Sequence, residues 1–177
     1  MNKYFTYILF PVSLALFIGF SSCQEDDELP PITSEGKNTF GCLVNGKLFT
    51  PKAPPGQTGT EADLFQLGDT ATSVNIYGSN YASDQSFFIS IIDSAELQVD
   101  KTYSLTDTTC CGIEYTEYSD SPSCTYKKAL SGHVKLLKFD VNQKILSGTF
   151  EFKAYSDVCD DTVTITEGRF DIGEIWQ

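Results

Sequence analysis

One histidine, His133, and one arginine, Arg169, stand in a chain of 177 residues. Nucleophilic catalysis pairs Ser, Thr or Cys with a neighbouring base, and a mechanism that needs two imidazoles is excluded. His133 falls in a strand-like stretch, where a surface or half-buried sheet residue is its ordinary role. Carboxylates are plentiful, 24 Asp and Glu against 12 Lys and Arg, for a formal net charge of -12. In so acidic a chain, neighbours such as Asp160 and Asp161 or Glu114 and Glu117 arise from composition. A glycosidase needs two carboxylates at a set separation across a cleft, which no linear spacing supplies. Asp157, Asp160 and Asp161 lack the spacing of a calcium loop and read as a solvated turn. Gly46, Gly56 and Gly59 sit in turns and form no phosphate loop. The expectation is a non-catalytic protein with no cofactor and no metal. The acidity also argues against nucleic acid, which is held by clustered Lys and Arg. Tyr115, Tyr118 and Tyr126 fall around one loop and are the candidate binding residues, because aromatic faces bind sugar rings or anchor protein partners.

Six cysteines would be odd in a reducing cytosol and point to export. The start of the chain has the layout of a secretory signal: Lys3 in a short opening, an apolar run over 8–20, then Ser21, Ser22 and Cys23. That run is too short for a spanning helix, which needs about twenty apolar residues. Phe20-Ser21-Ser22-Cys23 resembles a bacterial lipobox, although Phe20 departs from the usual Leu. The resemblance implies that residues 1–22 are a lipoprotein signal peptide and that Cys23 carries lipid at the mature N-terminus. Several acyl chains on one residue anchor firmly, where a single chain would be marginal.

Residues 23–37 read as an acidic tether. Glu25-Asp26-Asp27-Glu28 repel one another and remain solvated, and Pro30 and Pro31 extend the segment. The string after Cys23 also resembles the acidic export signal of surface lipoproteins of Bacteroidota. Residues 38–177 then read as a single β-rich domain. Period-two alternation recurs and no long helical stripe does. Thr39 to Val44 turns through Asn45-Gly46, a strong hairpin signal, into Lys47 to Phe49. Glu61 to Leu67 reads equally as a helical turn or a short strand. Val74 and Ile76 share one face with Tyr77 on the other, and Phe87 to Ile92 suits a strand buried on both faces. At the C-terminal end His133 to Phe139, Ile145 to Tyr155 and Thr162 to Ile172 form an antiparallel meander. Leu146, Phe150, Phe152 and Ala154 share one face of its middle strand, and Gly168 marks a bulge in the last. The expected fold is all-β, an antiparallel sandwich or flattened barrel of roughly seven to ten strands.

Phe40-Gly41-Cys42-Leu43-Val44-Asn45-Gly46-Lys47, the stretch Ile145 to Phe152 and the ending Asp161 to Asp171 resemble an uncharacterised lipoprotein family of Bacteroidota. The resemblance covers both ends of the domain and not the middle, Ala53 to Ala129. It implies β architecture and envelope localisation, gives no catalytic residue, and places a Cys near the last hairpin, where Cys159 stands. Once Cys23 is lipidated, Cys42, Cys110, Cys111, Cys124 and Cys159 remain. An odd number leaves one thiol over. The expected pair is Cys42 with Cys159, tying the first strand to the last hairpin, and a second bridge would join Cys124 to Cys110 or Cys111. Adjacent cysteines rarely meet disulfide geometry.

Together these readings lead to the expectation of a protein lipid-anchored at the outer membrane, with the acidic string pointing to the cell surface, that reaches the membrane through its N-terminal lipid and binds an unknown protein or glycan ligand. The alternatives are a lipocalin-like carrier of a small apolar ligand and a carboxylate-dependent glycan hydrolase.

Overall fold

A computed structural model describes residues 28–68, 71–118 and 121–176; the expected signal peptide, residues 1–22, and the expected lipidation site Cys23 lie outside them. The described chain is all-β. β1 (Thr39–Val44) and β2 (Lys47–Phe49) form the first hairpin, and Asn45 and Gly46 take φ of 48° and 79°, the positive angles that Asn and Gly tolerate best. The undecided segment is a strand, β3 (Thr60–Leu67), followed by β4 (Ala71–Asn80) and β5 (Gln85–Asp93). Short strands β6 (Thr102–Ser104) and β8 (Cys124–Tyr126) flank β7 (Cys111–Glu117). The meander is β9 (Lys128–Asp140), β10 (Ile145–Ser156) and β11 (Asp161–Ile172), and β12 (Ile175–Trp176) ends it.

These strands form two six-stranded sheets, ordered β2-β1-β11-β10-β9-β6 and β12-β3-β4-β5-β7-β8. The architecture is a sandwich, with no closed barrel. Twelve strands are described, of which β2, β6, β8 and β12 are only two or three residues long. Between the sheets, Phe40, Phe49, Phe87 and Phe150 are buried with the inward Ile, Val and Leu of β4, β5, β9 and β10. The Phe40 ring lies 5.3 Å from Phe150 and 5.6 Å from Phe87, linking the two sheets through aromatic contacts.

The expected bulge is present. Phe150 pairs with Gly168, and two residues later Phe152 pairs with Ile165, so β11 carries an extra residue. Glu167 absorbs it with a φ of 54°. This flips the facing of β11: Val163 and Ile165 point inward before the bulge, and Phe170 and Ile172 after it.

Part of the expected tether, residues 28–37, is described. Residues 28–37 lie against the β1–β11–β10 sheet. Asp171 accepts hydrogen bonds from Thr33 Oγ1 at 2.6 Å and from the backbone N–H groups of Glu35 and Gly36 at 3.0 and 2.8 Å. Ser34 and Ser147 share a hydrogen bond at 2.6 Å, and Arg169 donates to the Pro30 carbonyl at 3.4 Å. Arg169 also meets Glu167 on its own strand, at 3.4 Å, rather than a cross-strand acid.

The expected Cys42–Cys159 bridge is not formed. Cys159 joins Cys124 with a Cα–Cα distance of 5.7 Å, tying the edge strand β8 of one sheet to the β10–β11 turn of the other. Cys42 is a buried free thiol facing the core. Its neighbours Gly41 and Leu43 pair with Arg169 and Thr166. At about 3.3 Å per residue, that places it roughly 20 Å along β11 from the turn, far beyond disulfide reach. Cys110 and Cys111 are free thiols too, so Cys124 does not bridge to either.

Candidate binding face

The three singled-out tyrosines separate. Tyr115 has no exposed surface and Tyr126 is buried; their rings stack at 5.8 Å. The Tyr115 hydroxyl donates to Glu117 at 2.7 Å and accepts from Gln85 Nε2 at 2.8 Å. Burial, then the Glu117 carboxylate, push its phenol well above the ordinary range. Both are core residues and cannot present a face to a ligand. Tyr118 is 54 % exposed, its hydroxyl 3.1 Å from Ser86 Oγ. Parity within β7 sets the core side: Cys111, Ile113 and Tyr115 point inward and Gly112 and Glu114 outward, while Thr116, on the outward side, is buried against Thr125, and Tyr118 follows the strand exposed.

The outer surface of the β12-β3-β4-β5-β7-β8 sheet follows from strand register. One outward row crosses five strands as Trp176, Asp63, Asn75, Ser90 and Gly112. The next outward row on one side is Glu61, Tyr77, Phe88 and Glu114. On the other side stand Phe65, Ser73 and Ile92. Trp176 is 59 % exposed and Phe65 47 % exposed. The Tyr77 and Phe88 rings pack at 5.4 Å across β4 and β5. Asn75, Ser90 and Gly112 are small, so this part of the first row lies between larger residues of the two flanking rows, Tyr77 and Phe88 on one side and Phe65 and Ile92 on the other. Burial, then the Asp63 carboxylate, raise the Tyr77 phenol, while hydrogen bonding to Asn75 opposes them. The face thus combines flat apolar rings with the acceptors of Glu61, Asp63, Asn75 and Glu114.

This face spans β3, β4, β5 and β12, and sequence reading located only Tyr118 of it. The sequence shows outward parity for Tyr77, but it leaves Glu61 to Leu67 undecided and leads to the expectation that Phe87 to Ile92 is buried on both faces; instead Phe88, Ser90 and Ile92 alternate outward, with Ile92 exposed, because nothing packs over this face of β5 among the described residues.

Other expected sites are placed as follows. His133 on β9 is half-buried, its Nδ1 3.6 Å from Glu151 on the neighbouring strand. Asp160 accepts from the Tyr155 hydroxyl at 2.5 Å, and Asp161 accepts from the Thr162 amide. Among the described residues no group of three His, Cys, Asp or Glu is placed to hold a metal ion, and no helix is long and apolar enough to cross a membrane.

The fold defines a two-sheet β-sandwich with one sheet face lined by exposed aromatic residues. The chain belongs to the family described as Domain of unknown function (DUF6252), whose model matches residues 61–172, from β3 to the end of β11. No curated protein and no solved structure matches it.

Proposed function

We propose that this protein is a lipid-anchored envelope protein of the outer membrane whose sandwich is a non-catalytic binding module, and that the outer face of the β12-β3-β4-β5-β7-β8 sheet is its recognition surface. The observation that carries this reading is the outward set Phe65, Tyr77, Phe88 and Trp176 flanking the small residues Asn75, Ser90 and Gly112, with Tyr118 exposed beside Ser86. Aromatic rings present flat apolar surface at low entropic cost and concentrate binding energy. Carboxylate and amide oxygens beside them accept hydrogen bonds from hydroxyl groups. That pairing suits a neutral or amino-sugar glycan. An acidic polymer would meet Glu61, Asp63 and Glu114 and be repelled.

Anchoring through Cys23 sets the sandwich close to the membrane. The lipobox-like sequence supports the anchor, and the cysteine content supports an oxidising compartment. The carrier alternative needs a closed barrel around an apolar cavity, whereas the strands form two packed sheets with buried side chains between them.

The test is retention of the detergent-solubilised full chain on immobilised neutral polysaccharides, compared with a Phe65→Ala/Trp176→Ala variant. Retardation of wild type and loss of it in the variant supports the reading. Equal behaviour of both on every matrix overturns it.

A further inference from the structure

At the start of β7, where the chain enters the sheet beside Ile92, lie two sulfurs that the fold holds together. Cys110 and Cys111 have their Sγ atoms 2.8 Å apart. Their backbone is pinned on both sides. The Asp107 carbonyl accepts from the amides of Cys110 at 3.2 Å and Cys111 at 3.0 Å, and the Cys110 carbonyl accepts from the Ile92 amide at 2.6 Å. Asp107 is fixed in turn, its carboxylate accepting from the Thr109 amide at 3.0 Å and the Thr109 hydroxyl at 2.6 Å. No other described thiol competes: Cys124 and Cys159 are bridged, and Cys42 is buried on the opposite sheet.

The two thiols are unequal. Cys110 is part-exposed and Cys111 is buried. Facing them is a charged cluster built from both sheets. Asp93, inward on β5, takes Lys101 Nζ at 2.5 Å and the Tyr103 hydroxyl at 3.1 Å. Lys101 lies 4.7 Å from the centroid of the Tyr103 ring. The ammonium is near enough for its field to reach both sulfurs. Burial pushes the Cys111 thiol up, with Cys110 and Asp107 adding to it and Lys101 opposing.

We propose that Cys110 and Cys111 are a redox-active vicinal dithiol that closes to a disulfide by exchange with the disulfide of a thiol-disulfide partner. The Cys110 thiolate attacks the partner's disulfide, forming a mixed disulfide and releasing one partner thiolate. Cys111 then loses its proton to water and attacks the Cys110 sulfur, releasing the second partner thiolate. Two protein thiols are oxidised and one partner disulfide is reduced to two thiols. Neighbouring α-carbons across a trans peptide are about 3.8 Å apart, shorter than the roughly 4.4–6.8 Å of ordinary disulfides. The closed ring is therefore strained and readily reopened, which suits a reversible site rather than a structural staple. The proposal is independent of the glycan reading.

The probe is glutathione. The full chain, with the Cys124–Cys159 bridge verified, is equilibrated in graded mixtures of reduced and oxidised glutathione, trapped with N-ethylmaleimide and mapped by mass spectrometry. The expected result is joint loss of both maleimide adducts from Cys110 and Cys111, with the mass falling by two hydrogens and no retained glutathione. A Cys111→Ser variant should instead accumulate glutathione on Cys110. Contrary results are persistent alkylation of both thiols at the most oxidising ratio, a stable glutathione adduct on wild-type Cys110, or bridging of either residue to Cys42. The wild-type measurement decides the matter even if the serine variant folds poorly.

Discussion

The ring of Phe150 lies directly over Gly168 on the neighbouring strand, so close that a Cβ at position 168 would come within 2.5 Å of it. This contact sits at the β11 bulge and lets an aromatic side chain cover a residue with none of its own. Phe150 is 2 % exposed and touches the ring cluster that bridges the sheets. Phe150→Ala should therefore cost about 3–5 kcal/mol. Gly168→Ala, which overpacks the same spot, should cost about 1–3 kcal/mol. Urea unfolding of both variants checks this; wild-type midpoints would show that the bulge packs differently.

Asp171 gives the domain a pH dependence. Burial raises its carboxyl, but hydrogen bonds from Thr33 and the amides of Glu35, Gly36 and Lys37 outweigh that, and the net direction is downward. A carboxylate held below its unfolded value of about 3.9 stabilises fully above that pH, and the contribution is lost as pH falls through the folded value. Melting temperature should drop on acidification below about pH 4. Asp171→Asn should be less stable at neutral pH and show a shallower acid slope. Parallel slopes would mean that other carboxylates set the acid transition.

The Cys124–Cys159 bridge closes a loop with a sequence separation of 35. Removing it by Cys124→Ala should cost about 2–4 kcal/mol through the unfolded chain's entropy. Cys42→Ala should leave non-reducing peptide maps unchanged. A map joining Cys42 to Cys159 would contradict the sheet register.

The Cys23→Ala variant addresses the anchor. It should leave the membrane fraction or persist as an uncleaved precursor in cell fractionation. Normal processing with full membrane retention would remove lipidation from the account.

The meander was legible because β10 and β11 are twelve residues each, long enough for parity to show, and Gly168 announced the change of facing. The cysteine pairing was not legible, because it depends on which strand edges the two sheets bring together, and nothing local records that. Tyr115 and Tyr118 stand three residues apart with similar surroundings in sequence; only the inward parity shared with Ile113 separates core from surface. The docked segment 28–37 escaped notice because polar contacts with Asp171 and Ser147 hold it, without any periodic apolar signal.

Trp176 is the single tryptophan of the chain and stands exposed at one end of the outward row. Its emission is therefore a direct reporter of the proposed recognition face. Titration of the full chain with a neutral or amino-sugar glycan that it retains should shift and quench that emission saturably, and Phe65→Ala should weaken the titration about tenfold, the equivalent of roughly 1.4 kcal/mol. A glycan or other ligand that binds while leaving the Trp176 emission and the Phe65→Ala affinity unchanged would place recognition elsewhere and contradict the account.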